Sequence, residues 1–458
     1  MKAFLEIVNG YIWGIPLLLI IAVGFYLTCA SKFAQVRLFP HAIGLFIKTF
    51  RRKNDKNNGI SGYRALCTAL SATVGTGNIA GVAGAIAIGG PGVIFWMWVC
   101  AVLGMVIKFA EIVLAIRFRK KNIQGEYIGG PMYTILGGLS HKYAPLAYIY
   151  AFFGVVASFG IGNTTQVNAI SDSLRNILHY FERDLGLLGA LLLGLILTIL
   201  VILAFNNGAN GVGVWAEKLI PAASLLYIIL SAGLLILRRD QIPVALQSIF
   251  AGAFRPSSAT GGVLGSMAMT MRVGAARGVF TNEAGMGTAS IAHAAADVAN
   301  PAEQGLMGSI EVFLDTILIC TLTGLAVICS GVSIPYGTDP GVALTMDAFS
   351  CVYGKRAGII LSALVCLFAF ATILGWGIYG IRCAQFLFGE KAWNIYLLFQ
   401  VCAIFIGIIM NTSTVWILAE IVNGLMTIPN LIAIILLAGE FLSIIKDYEF
   451  RRKTHSLN

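Results

Sequence analysis

Long apolar runs separated by short polar or basic segments organise this chain from end to end. The first run, roughly Tyr11 to Ala30, is long enough to span a bilayer. No small-residue cleavage pattern follows it, so it reads as a retained helix rather than a signal peptide. Further runs of spanning length lie at roughly 63–88, 93–117, 144–166, 187–205 and 217–237, then at 259–288, 304–330, 357–386, 391–410 and 415–445. The pattern predicts an all-α polytopic membrane protein with about eleven transmembrane helices. Setting the first helix aside leaves two sets of five, each opened by a Gly-rich interrupted span. Because five is odd, the second set starts on the other face. The two sets are then inverted copies, and both interruptions meet near the midplane. The chain divides into an N-terminal helix with a basic cytoplasmic loop (1–62), a first five-helix repeat (63–237), an external connector (238–256), a second, inverted repeat (257–445) and a cytoplasmic tail (446–458).

Composition agrees with the pattern: 58% hydrophobic and 11% charged residues exclude a soluble globular protein. The nine cysteines lie mostly in apolar runs without a CxxC pair, which indicates neither a disulfide framework nor a metal site. The net charge of +10 suggests nucleic acid only until its distribution is read. Lys32, Arg37, Lys48, Arg51, Arg52, Lys53 and Lys56 cluster in one loop with a single acid, Asp55, which the positive-inside rule assigns to the cytoplasm. Alternation from that loop puts the N-terminus outside and the tail with Arg451, Arg452 and Lys453 inside a multi-pass protein of the cell membrane. Membrane lipid and small solutes are the implied partners, not nucleic acid.

Candidate chemistry lies in the interrupted spans. In SATVGTGN, Ser71 to Asn78, Gly75 and Gly77 loosen the helix while Thr73, Thr76 and Asn78 supply polar groups at one depth. An unwound stretch persists in a membrane only where it is buried in protein or lines a cavity. Freed amides at a half-helix start hold a carboxylate, and freed carbonyls at the other end hold a cation. Close helix packing by small residues is the competing explanation. The second interrupted span, Gly261 to Gly287, enters near Thr260 on this count. About ten residues then reach the centre, so Met267, Met269 and Thr270 are expected at the substrate. Arg277, Asn282 and Glu283 fall toward the cytoplasmic mouth, as an inner gate or as boundary anchors. Lys108 and Glu111, three residues apart on a helix, are expected to pair with each other. Gln166 sits at the outer end of its predicted span, where it either points at the site or caps the helix. Thr372 either completes a cation site or bonds back to its own helix.

GISGYRALCTALSATVGTGNIAGVAGAI (59–86), GGPGVIFWMWVCAVLGMVIKFAEIVLAIRFR (89–119), GEYIGGPMY (125–133) and ARGVFTNEAGMGTASIAHAAA (276–296) resemble the alanine or glycine:cation symporter family. NTTQVNAI (163–170) and FATILGWGIYG (370–380) extend the resemblance over nearly the whole chain. The family implies a ten-helix, LeuT-like 5+5 inverted-repeat core with one added N-terminal helix. It also implies uptake of small neutral amino acids, alanine or glycine, with sodium as coupling ion and no other cofactor. Carried over by position, Thr73, Val74 and Asn78 are sodium-side candidates, and Gly75, Thr76 and Gly77 bind the carboxylate. Gln166 and Thr372 match positions near substrate and ion. The chain departs at Ala371, where a second hydroxyl is common, and at Gly84 and Gly377, where larger or hydroxyl residues are usual. Proton coupling, a glutamine preference and an amino acid sensor that has lost transport are the alternatives. A channel lacks its rings of like charge, and an enzyme lacks metal, nucleophile or cofactor spacing.

Overall fold

A computed structural model describes residues 2–51, 60–255, 266–409 and 413–455. Helix α1 is Lys2–Ala30, followed by α2 (Ala34–Arg37), α3 (Phe39–Arg51), α4 (Gly62–Thr73), α5 (Val82–Gly89), α6 (Val93–Arg117) and α7 (Pro131–Gly138). Next come α8 (Ala144–Phe159), α9 (Thr165–Tyr180), α10 (Gly186–Phe205), α11 (Gly208–Leu237) and α12 (Ile242–Phe254). The second half contains α13 (Met267–Asn282), α14 (Thr288–Ala294), α15 (Pro301–Val312), α16 (Thr321–Cys329) and α17 (Val342–Tyr353). It ends with α18 (Arg356–Phe388), α19 (Ala392–Ile409), α20 (Ser413–Leu436) and α21 (Ala438–His455).

Among the described residues nine helices are long and apolar enough to cross a membrane, or ten when α4 and the segment 77–89, bent by 50°, count as one span. The expected eleventh, 259–288, begins in residues outside the described set, and its described part does not reach this measure. Its described helix α13 is 16 residues long and carries Arg272 and Arg277. Two boundaries also move. The run 415–445 is two helices, with α21 separate from α20, and the span expected to end at Gln166 continues to Tyr180. The polar run Asn163 to Gln166 does not stop that helix, because a π turn at Gly160–Thr164 absorbs it. Thr164 and Thr165 return their hydroxyls to the carbonyl of Gly160, while Asn163 Oδ1 is left without a partner among the described residues.

Local chemistry sets the helix ends. Ser61 caps α4 through the amide of Arg64, and Asn300 caps α15 through the amide of Ala302, with Pro301 at the first helical position. Helix α6 runs through the centre, packed on α13 and α15 at small residues. A β-carbon at Gly274 would stand 2.5 Å from the carbonyl oxygen of Val93. The basic segments gather at one end of the bundle, here called the basic face. There Arg37 pairs with Glu449 at 2.8 Å and Arg117 with Glu440 at 2.8 Å, which joins α2 and α6 to the C-terminal helix.

Candidate functional site

Helix α4 ends at Val74, whose extended backbone (φ −79°, ψ 101°) frees the last carbonyls of the helix. The chain resumes as a π turn, Gly77–Gly81, leading into α5. Asn78 pins this break. Its Oδ1 accepts from the amide of Gly75 at 2.8 Å, and its Nδ2 donates to Asp315 Oδ1 at 2.6 Å. The amide of Gly75 is therefore already engaged, which leaves those of Thr76 and Gly77 as the donors that start the second half-helix. Asn78 is a strut between the break and the π turn Phe313–Cys320, not a wall of the cavity beside it.

The second break is Glu283 to Gly287, between α13 and α14. Glu283 adopts a left-handed conformation (φ 54°), as do Gly285 (φ 92°) and Gly287 (φ 76°). For a glutamate this is an uncommon backbone, maintained here by its surroundings. Glu111 on α6 accepts from the amides of Gly285 (2.9 Å) and Gly287 (3.1 Å) and from Asn430 (2.7 Å), so one carboxylate oxygen orders the whole turn. Lys108 does not pair with Glu111 as expected. It reaches Glu311 on α15 at 3.0 Å, and Glu311 also meets His293 of α14 at 3.2 Å. The side chains at 108 and 111 diverge because each is drawn to a different unsatisfied partner, one a carboxylate and the other a broken backbone.

The two breaks lie side by side around a small cavity of about 30 Å³, room for two or three water-sized groups in all. Gly75, Thr76 and Gly77 line it from the first break, Phe280, Thr281 and Glu283 from the second. Ile161, Gln166, Thr372, Trp376 and Asn423 complete the walls together with Ala72 and Thr73. Gln166 is mid-span, not at a helix end; its Oε1 accepts from Thr76 Oγ1 at 3.3 Å. Trp376 donates from Nε1 to Glu283 Oε1 at 2.9 Å, which fixes the indole across the cavity. Thr372 donates to the carbonyl of Phe368 at 3.0 Å, and its hydroxyl faces the first break: a β-carbon on Gly75 would stand 2.8 Å away.

Other expectations change with the depth of the second break. Met267 and Met269 are exposed at the far end of α13, and Thr270 is buried against the carbonyl of Gly89 at 2.8 Å; none of the three lines the cavity. Helix α13 continues through Asn282, so the ten-residue depth count placed the substrate-contacting stretch too early. Arg277 therefore sits on the side away from the basic face, 3.9 Å from Asp339 and 3.8 Å from Glu420. Asn282 instead turns inward, donating to Thr316 at 3.1 Å and accepting from the amide of Ala284 at 2.9 Å. Arg277, Asn282 and Glu283 thus form no single cluster at the basic face. The sequence reading also missed Asp315 and Glu311, buried carboxylates four residues apart in one span. Acids inside so apolar a run were the available signal. The glycine at 377 is accounted for by packing, since a side chain there would stand 2.6 Å from Phe205, whereas at Gly84 it would meet only the half-exposed carboxylate of Asp339, which can swing aside.

A vestibule of about 380 Å³ opens opposite the basic face and shares Thr76 and Gly77 with the cavity. A recess of about 320 Å³ on the basic face shares no residue with it. Two broken helices around one central cavity, reached from one face, define a secondary transporter. A family model described as the sodium:alanine symporter family matches residues 1–458, and the chain belongs to that family. It is 38% identical to the sodium/alanine symporter AgcS of Methanococcus maripaludis over 98% of each chain. It is 34% identical to the probable sodium/glutamine symporter GlnT of Bacillus subtilis, over 98% of this chain and 90% of that one. The crystal structure of MhsT in complex with L-phenylalanine shares the fold, with a TM-score of 0.60 at 16% identity, covering 84% of this chain and 90% of that one. The protein is a multi-pass membrane transporter with a LeuT-like core, not an enzyme.

Proposed function

We propose that the protein carries a small neutral amino acid together with sodium by alternating access. The observation that carries this reading is the cavity between the two breaks, where an anion-binding half-helix start faces a carboxylate. The substrate carboxylate is held by the amides of Thr76 and Gly77, at the positive start of the π turn. Its ammonium faces Glu283, and its side chain packs on Ile161, Phe280 and Trp376. The cavity as it stands has room for roughly two or three water-sized groups and must widen for any amino acid; beside a fixed indole it widens least for glycine or alanine and most for glutamine. Sodium lies between the freed carbonyls of Thr73 and Val74 and the hydroxyl of Thr372, a hard cation among oxygens. Arg277, in the vestibule wall between Asp339 and Glu420 of α20, is the charged element of the gate on that side. The basic face is cytoplasmic, with the N-terminus outside and the C-terminus inside, because Arg37, Arg117, Lys120 and Arg451 share that face.

In proteoliposomes, labelled alanine is expected to accumulate against its gradient when sodium is high outside, and excess glutamine should compete poorly. Accumulation that followed an imposed proton gradient and ignored sodium would overturn the ion assignment. Glu283→Gln keeps an acceptor for Trp376 but removes the charge facing the ammonium. Its half-saturation for alanine should rise roughly tenfold or more, the scale of one hydrogen bond to a charged group. An unchanged value would remove Glu283 from the substrate.

A further inference from the structure

Helix α1 stands outside both five-helix repeats, yet it contacts α20, which carries Glu420, and α13, which carries Arg277 of the vestibule wall. Asn9 donates from Nδ2 to Glu420 Oε2 at 2.6 Å, and Trp13 donates from Nε1 to the carbonyl of Glu420 at 2.9 Å. On α13, Arg272 reaches the carbonyl of Gly10 at 3.4 Å. Contact is close on both sides. A β-carbon at Gly10 would lie 2.8 Å from Arg272 Nη2, and one at Gly424 would lie 3.2 Å from Ile12. The other oxygen of Glu420, Oε1, is 3.8 Å from Arg277 Nη1. That distance is an ion pair without a direct hydrogen bond, so the contact has room to tighten. Asn9 has no second anchor: its Oδ1 is buried without a hydrogen-bond partner among the described residues.

We infer that α1 is a clamp on the gate opposite the basic face, and that Asn9 is a positioning residue that holds Glu420 back from Arg277. The inference rests on reading Arg277 and Glu420 as that gate. A carboxylate held at one oxygen by a neutral amide cannot advance to a bidentate pair with a guanidinium without giving up that hydrogen bond. Releasing the amide removes this one restraint and lets Glu420 draw Arg277 of the vestibule wall toward α20; α1 thereby sets how readily substrate enters, without touching it.

The test uses the full chain with Cys29, Cys351 and Cys402, its exposed cysteines, removed and a reporter, Ala169→Cys, in the vestibule wall. A membrane-impermeant maleimide reads its accessibility. Asn9→Leu, which removes the donor, and the isosteric Asn9→Asp, which repels Glu420 toward Arg277, should each slow labelling roughly tenfold, the loss of one charged hydrogen bond. Asn9→Gln, which keeps the donor, should restore the parental rate. In a Glu420→Gln background neither Asn9 change should add anything, since the group being positioned is gone. If Arg277→Gln and Glu420→Gln alter labelling but Asn9→Leu and Asn9→Asp do not, the clamp is wrong and the gate stands. If none of the four alters it, both readings fall. Faster labelling in the Asn9 variants would overturn the clamp by its sign.

Discussion

Gly75→Ala is expected to abolish sodium-driven amino acid uptake while leaving the protein folded in the membrane. The added β-carbon would lie 2.8 Å from Thr372 Oγ1. Thr372 cannot easily turn away, because it is buried, β-branched and bonded to the carbonyl of Phe368. The first break must therefore shift away from α18. That shift separates the carbonyls of Thr73 and Val74 from the hydroxyl proposed to share the sodium. It also moves the amides of Thr76 and Gly77 off the substrate carboxylate. A displacement of about 1 Å at such a site costs on the order of a hundredfold in rate. Gly77→Ala is the contrasting variant, since its β-carbon meets nothing closer than Thr281 Cγ2 at 3.5 Å. It should retain most of its activity, whereas Gly77→Val, with two more methyl groups facing Phe280 and Thr281, should not. Uptake velocity and half-saturation in proteoliposomes, normalised to the amount of monomeric protein, check the series. Normal uptake by Gly75→Ala would detach Thr372 from the ion site.

Lys108→Met should cost stability rather than selectivity. Lys108 and Glu311 form an ion pair at 3.0 Å with almost no exposure on either side, and Glu111, Glu283 and Asp315 are buried in the same core. Lys108 is the cation that balances this concentration of carboxylates; removing it leaves Glu311 with only the imidazole of His293. Breaking a buried pair on one side costs about 3–5 kcal/mol. The loss should appear as a lower temperature at which half the detergent-solubilised protein stays monodisperse, and as poor membrane yield. Lys108→Met combined with Glu311→Gln should recover a large part of it, because the orphaned charge is then gone and the glutamine oxygen still accepts from His293. A double variant no more stable than the single one would mean that Lys108 stabilises through its packing alone.

What the sequence determined by itself was the class of protein and the location of the first break. Apolar runs of spanning length have no alternative in water. A Gly-Thr-Gly run inside one is too costly unless the loosened backbone is used. Both inferences need only local composition and the thickness of a bilayer. The second break was legible as a Gly-rich segment but not at its true depth, since a helix remains helical until a side chain elsewhere takes over its backbone groups. That side chain is Glu111, 174 positions away from Gly285. The same limit explains Lys108, whose partner on α15 is 203 positions distant and outcompetes the neighbour one turn along. Asn78 looked like an ion ligand until Asp315 and the amide of Gly75 were seen to occupy it. Arg277 moved to the other face because its helix starts at Met267, several residues later than the entry near Thr260 from which depth was counted. Only tertiary structure decides which polar groups inside a membrane satisfy one another, because each buried donor or acceptor must find a partner and the packed bundle determines which one is near.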